Sequence, residues 1–387
     1  MIERVSKLKA INDGFKRAKI VSITGLRQCG KTTLARSYAE SQTKPVHYFD
    51  LEDPRSESRL REPMLALEAL DGLVVIDEVQ RLPSLFPVLR VLADRPETKA
   101  RFLLLGSASP LLISSISESL AGRVALLEIE GFDLLETGTD SLRSLWLRGG
   151  LPPSYLAESD DASLLWRRDF ITLFLERDLP QLGITIPSAT LRRFWMMLAH
   201  FHGGIWNAAE LARSLGTSEQ TARRYLDILT GAFAIRQLPA WFENVGKRTV
   251  KSPKIYLRDA GLLHALLEIG HWEHLEAHPK LGASWEGFCI EQILNYCEPR
   301  QSYFWATHAG AELDLLVFRK SRRFGVEMKY ADAPGTTRSM HIAMDNLKLD
   351  HLFVVHPGKD NYEIAPKIEV ISLGELLPKL ANPTWIP

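Results

Sequence analysis

Cysteine is scarce in this chain: 387 residues contain only Cys29, Cys289 and Cys297. Their spacing fits neither a metal site nor a redox pair, and the odd number argues against a disulfide framework. Net charge is missing as well. The 47 basic residues balance 47 acidic ones, which excludes a polycation coating nucleic acid by bulk electrostatics; such a contact would need a local patch. Long apolar runs are also absent. Stretches such as Phe102–Leu105 fall far short of the ~20 residues of a membrane span. Charges scattered from Glu3 to Lys19 interrupt any secretory apolar core. There is no internal repeat and no low-complexity tract. The expectation is a cytoplasmic protein in a reducing compartment, with no membrane partner. What is present is globular: 45% hydrophobic and 24% charged residues exclude disorder, and the length suits two to four domains of ~100–200 residues.

Over the first third, short apolar runs alternate with helical patterns. Strands are expected at 19–24, 45–50, 72–77, 101–106 and 124–129, with a helix over 32–40. Continuous rather than alternating apolar character predicts a parallel sheet covered on both faces. This first, α/β domain is expected to span 1–140. Residues 141–194 read as a helical lid or linker broken by Gly149-Gly150 and Pro152-Pro153, and 195–275 carry a different pattern. From 276 to 387 the chain returns to mixed helix and strand, with strands at 302–307, 313–318, 323–329 and 351–355.

Gly25-Leu26-Arg27-Gln28-Cys29-Gly30-Lys31-Thr32 fits G-x-x-x-x-G-K-[ST] between an expected strand and an expected helix. Glycines let main-chain amides turn inward around phosphates, Lys31 reaches the β/γ oxygens and the Thr32 hydroxyl sits on Mg²⁺. The amides of the helix start, through Thr33, add the positive end of its dipole. Leu73-Val-Val-Ile-Asp77-Glu78 is an apolar strand ending in two carboxylates. Asp77 is placed to support Mg²⁺ and Glu78 to polarise the attacking water. Ser107, after the fourth strand, could reach that water or the γ-phosphate; an ordinary turn serine is the plainer reading. Arg123 could serve as an arginine finger, against the plainer reading of a surface arginine. Acting in trans, it would require a homo-oligomer. Cys29 reads as a tolerated filler of the loop.

Ala208–Gly216 reads as a short amphipathic helix, and Thr217-x-x-Gln220 as a capping box opening a second. So short a turn suggests a winged helix-turn-helix, with 234–241 and 254–257 as the wing. Gln220, Arg223 and Arg224 fall on the exposed face. Over 206–259 nine basic residues meet five acidic ones. Lys247, Arg248, Lys251 and Lys254 cluster near the wing tip, which suits contacts to DNA phosphates; a packing module is the alternative. Further on, Asp314 lies on one expected strand and Glu327 and Lys329 share a face of the next, while a helix carrying Glu286 could come alongside. Oxygen ligands with a lysine suit metal-dependent phosphodiester cleavage; a salt-bridged hairpin without metal is the alternative.

With these residues in hand, the chain resembles the prokaryotic family of predicted AAA+-type ATPases that join an N-terminal P-loop domain to a C-terminal domain of unknown function. The resemblance spans nearly the whole chain and rests on Gly25–Thr32, Ile76-Asp77-Glu78-Val79-Gln80, Leu105-Gly106-Ser107, Ser119–Arg123, Gly149-Gly150-Leu151-Pro152, Ile255–Gly261 and Glu327-Met328-Lys329. It implies ATP and Mg²⁺ as cofactors. The family's tail is similar to the PD-(D/E)xK fold, which implies a restriction-endonuclease-like α/β domain with Glu286, Asp314, Glu327 and Lys329 at its site. Cys29 departs from the small apolar residue usual in the loop. The expected activity is ATP hydrolysis whose nucleotide state controls a DNA-facing C-terminal half. The alternative is a switch that recruits a protein partner and carries an inactive nuclease-like domain.

Overall fold

Ile20–Gly25 (β1) is buried at every residue, as its unbroken apolar run requires of a strand covered on both faces. Val46–Asp50 (β2), Gly72–Asp77 (β3), Ala100–Ser107 (β4) and Val124–Glu128 (β5) join it in the order β2-β3-β4-β1-β5, every pair parallel. All five strands lie within a residue or two of their expected positions. The helix Leu85–Asp94 places Leu85, Phe86, Leu89 and Leu92 at helical spacing on one face. There they meet Val74, Ile76, Phe102 and Leu104. The helix Val5–Arg17, not anticipated from the sequence, has Gly14 against Val21 and Ala125. Val21 and Ile20 are neighbours on one strand and point to opposite faces, so the two helices cover the two sides. Because the strands are parallel, their C-terminal ends share one edge, which carries Gly25, Asp77 and Ser107.

This computed structural model describes residues 2–107, 118–242, 250–297 and 301–385. It has two compact units, the first comprising 1–131 with 181–184 and 231–233, the second the remainder. In the second unit the helices Leu142–Arg148 and Asp160–Leu173 pack on Ala260–Leu266. The helical stretch expected as a linker is thus packed with residues from 195–275. The expected helix pair is present as Ala208–Leu215 and Glu219–Gly231, with a small sheet of Gly204–Ile205 (β6), Ile235–Leu238 (β7) and Lys254–Leu257 (β8). The cap differs from the capping box expected at Thr217: the helix starts one residue later, and the Ser218 hydroxyl accepts from Thr221 N at 3.1 Å.

A six-stranded sheet follows. Ser302–Ala306 (β9), Glu312–Arg319 (β10) and Arg322–Met328 (β11) run antiparallel, and His351–His356 (β12) joins β11 in parallel. Tyr362–Ala365 (β13) and Ile368–Ser372 (β14) complete it. These last two were not anticipated, since each is only four or five residues of mixed polarity. Ala240 bridges to Phe304, so the chain leaving β7 continues beside β9 and the expected 195–275 and 276–387 segments share one body.

A hydrogen-bond chain ties this unit together. Trp146 Nε1 donates to Ser284 Oγ at 2.9 Å, Ser284 lies 2.8 Å from His264 Nε2, and His264 Nδ1 lies 2.9 Å from Leu147 O. With the Ser284 proton given to Nε2, Nδ1–H donates to the carbonyl and the imidazole is satisfied while neutral. Burial pulls the pKa values of His264 and His202 down from 6.5 to about 3. Below 6.5 the unfolded chain takes up protons that the folded one refuses, so stability is lost as pH falls from 6.5 towards 3. The thermal midpoint should therefore drop across this window, and His264→Asn should flatten the slope. A midpoint series in which the variant's slope equals the wild type's would remove His264 as a cause.

Candidate functional site: a phosphate loop beside a buried carboxylate

The loop between β1 and the helix Lys31–Glu40 is shaped by two glycines. A Cβ on Gly25 would stand 2.1 Å from Ile129 O, and Gly30 turns into the helix with φ 96°, a left-handed conformation that favours glycine. Gln28 also has positive φ, at 60°. Leu26 and Cys29 are buried, Arg27 half-buried, and Gln28 and Thr33 exposed. Lys31 is buried, and its Nζ donates to Gly25 O at 3.0 Å and Leu26 O at 2.9 Å. The ammonium therefore arches back over the loop.

Asp77 ends β3 on the same edge and meets the loop there. Its Oδ2 accepts from Thr32 Oγ1 at 2.9 Å and from the Tyr48 hydroxyl at 2.8 Å, while Oδ1 accepts from Glu78 N at 3.0 Å. Burial raises the Asp77 pKa, and the two hydroxyls work against that rise. Tyr48 is pushed up by burial and then by the Asp77 charge. Thr32 and Asp77 thus offer two converging oxygens, the hard donors that Mg²⁺ takes. Glu78 follows in a left-handed conformation, φ 53°, and its carboxylate accepts from the Gln80 side-chain amide. Ser107 closes β4 in register with Gly25.

Tyr48 and Gln80 escaped the sequence reading as site residues. No motif marks a tyrosine on β2; only the register that sets Tyr48 beside Val75 puts its hydroxyl near Asp77. Arg123 is elsewhere. It pairs with Asp94 at 2.6 Å and precedes Val124, which is in register with Ile20. That is the far end of β1 from Gly25, roughly 17 Å away at about 3.3 Å per residue.

The second unit gathers the C-terminal residues around an unexpected cation. Asp314 lies opposite Glu327, one step beyond the Leu315–Val326 pair, and its Oδ2 accepts from Met328 N at 2.9 Å. Lys329 pairs with Glu327 at 2.9 Å. Between Glu286 and Asp314 sits Lys254, which was expected at a wing tip and is instead 3% exposed. Its ammonium lies 2.9 Å from Glu286, 3.8 Å from Asp314 and in contact with Glu312. Tyr256 donates to Glu286 at 2.5 Å. Burial would lower the Lys254 pKa, yet Glu286, Asp314 and Glu312 together hold it well above the lysine range. Glu286 is pushed up to about 7 and Glu327 to about 8, by burial first and Asp314 second. Among the described residues no group of three or more His, Cys, Asp or Glu is arranged to hold a metal ion.

The basic face is also thinner than counted from the sequence. Arg236 and Arg258 both turn to the buried Glu291. Arg213, Arg223, Arg224 and Lys251 are exposed, as are Glu210, Glu219, Gln220 and Asp227. Lys247 and Arg248 lie outside the described residues. Two other marks of the resemblance meet in space: Gly150 N donates to Asp259 Oδ2 at 2.9 Å, and a Cβ on Gly149 would stand 2.2 Å from Asp259 Oδ1. Asp259 also caps the helix Ala260–Leu266 through Leu262 N at 2.8 Å. Those motifs form a structural clasp.

Residues 17–137 match an AAA domain, and 139–273 and 281–376 match two domains of unknown function. A Walker-type ATPase of Pyrococcus abyssi shares the fold, with a TM-score of 0.51 at 15% identity over 69% of this chain and 96% of its own. The fold and the AAA match define residues 17–137 as a P-loop domain of the AAA class. Two uncharacterized proteins, from Mycobacterium tuberculosis and Mycobacterium bovis, are each 51% identical over 377 residues, covering 97% of this chain and 85% of the relative. The chain belongs to the family of these two mycobacterial proteins. Among the described residues no helix is long and apolar enough to cross a membrane.

Lys254 gives the site its sharpest stability test. Replacing it with Met leaves buried carboxylates without their counter-charge, a loss of about 3–5 kcal/mol. Urea unfolding of Lys254→Met should show it; a change below about 1 kcal/mol would mean that the ammonium does not hold the cluster.

Proposed function

We propose that this protein hydrolyses ATP with Mg²⁺ and that its nucleotide state controls the C-terminal half. The observation that carries the reading is the Thr32–Asp77 hydrogen bond at 2.9 Å beside a glycine-shaped loop. Main-chain amides from Gly25 to Thr33 would cradle the phosphates, and Lys31 would turn from the Gly25 and Leu26 carbonyls to the β/γ oxygens. Thr32 and Asp77 would hold Mg²⁺, which when bound would neutralise charge on the phosphates. Glu78, released from Gln80, would take the proton of the attacking water. Ser107, in register with Gly25, could orient that water. Arg123 would have to come from a second copy, because its own strand carries it to the wrong end of the sheet.

Hydrolysis of radiolabelled ATP tests this reading. Glu78→Gln should slow turnover by about 100-fold or more while retaining ATP, and Lys31→Ala should lose binding as well. Equal turnover in all three proteins would end the proposal.

For the C-terminal half, two roles compete. Gln220, Arg223 and Arg224 on one exposed helix support a DNA-facing surface of winged-helix type. Asp314, Glu327 and Lys329 resemble a cleavage site. Lys254 favours the other role, a switch that recruits a protein partner and does not cut, because an ammonium already sits between Glu286 and Asp314. Plasmid incubated with Mg²⁺ or Mn²⁺ should stay intact on this reading. Cleavage that disappears in Asp314→Ala would favour the nuclease instead. Binding that weakens when Arg223 and Arg224 both become Ala, with a smaller salt dependence, would support the DNA-facing surface.

A further inference from the structure

A buried cation lies against the phosphate loop and has no part in the site described so far. Arg4, 7% exposed, precedes the helix Val5–Arg17. Its guanidinium joins two carbonyls distant in sequence: Nη1 donates to Cys29 O at 3.1 Å and Nη2 to Gly131 O at 2.8 Å. All three residues belong to the first unit.

The Cys29 carbonyl shares a peptide unit with the Gly30 amide. In a trans peptide the C=O and N–H point in opposite directions, so a donor that holds Cys29 O also aims Gly30 N–H away from itself. Such control is needed here. Gly30 is the left-handed residue at which the loop becomes helix, and with no Cβ its flanking peptides rotate freely. The second anchor is firm, because the segment leading to Gly131 is packed on the base of the loop. Ile129 O closes on Gly25, and Ile129 N donates to Thr24 O at 2.8 Å.

We infer that Arg4 is a positioning residue of the phosphate loop, bracing the Cys29–Gly30 peptide against Gly131 so that the Gly30 amide faces the phosphates. Arg4 touches no substrate; it acts through the peptide plane. The inference rests on the nucleotide-binding reading above. It also explains why a loop with so many main-chain donors can keep one arrangement: a planar fork with several donors fits two carbonyls at once, which a lysine's point charge does not.

The test is calorimetry of the full-length protein with MgATP, alongside hydrogen exchange of residues 26–33 without nucleotide. Arg4→Gln should weaken MgATP binding by about tenfold or more, the effect of losing charge-assisted hydrogen bonds. Exchange should speed up in the loop while β1 and β4 stay protected, a pattern that general destabilisation would not produce. Arg4→Lys should fall between, and it carries the test if Arg4→Gln does not fold. Wild-type affinity and loop exchange in a folded Arg4 variant would overturn the inference alone. Wild-type protein that takes no MgATP would remove the nucleotide reading and this inference with it.

Discussion

A buried aspartate between two hydroxyls holds the phosphate-loop edge of the first sheet together. Asp77 is 4% exposed, and a carboxylate so placed persists only if its oxygens are satisfied. Thr32 reaches it from the phosphate loop and Tyr48 from the neighbouring strand, so three chain segments meet on one functional group. The sheet order makes this meeting possible, since β1 and β3 flank β4 and all three run parallel. With β4 reversed, as in an antiparallel sheet, loop and carboxylate would still share an edge, but the end of β4 at Ser107 would lie a strand length away.

The C-terminal half shows the same constraint with the charges reversed. Lys254 is an ammonium out of water, and three carboxylates compensate it. Seen only as residue types, Glu286, Asp314, Glu327 and Lys329 form a set of oxygen ligands with a lysine. Seen with Lys254 among them, they form an ion-pair network that fastens β8 to β10 and to the helix Leu281–Leu294. Arg236 and Arg258 on Glu291 repeat the device nearby. Basic residues that a running count assigns to the surface are here internal counter-charges, so local charge excess overstated the surface available to a polyanion.

Motifs divide in the same way between chemistry and construction. Gly25–Thr32 and Asp77-Glu78 converge on one edge, whereas Gly149-Gly150 and Asp259-Ala260-Gly261 meet as a clasp in which a carboxylate caps a helix and receives a loop amide. A Cβ on Gly261 would stand 2.0 Å from Arg148 O. Recurrence of such residues in a pattern speaks of close packing as readily as of a site.

The sequence by itself determined the strands β1 to β5, the helix pair near 208–231 and the phosphate loop, because local periodicity and turn chemistry decide these and need no distant partner. It also placed Asp314 and Glu327 on adjacent strands, since a hairpin's register follows from its own residues. Tertiary structure alone decided where these polar and charged side chains went. Tyr48 on Asp77, Arg4 on Cys29 and Gly131, Lys254 among carboxylates and Arg123 at the far end of β1 all depend on contacts between residues 25 to 127 positions apart or on strand direction. Burial sets the worth of a charge, and burial is a property of the assembled fold that no window of sequence contains.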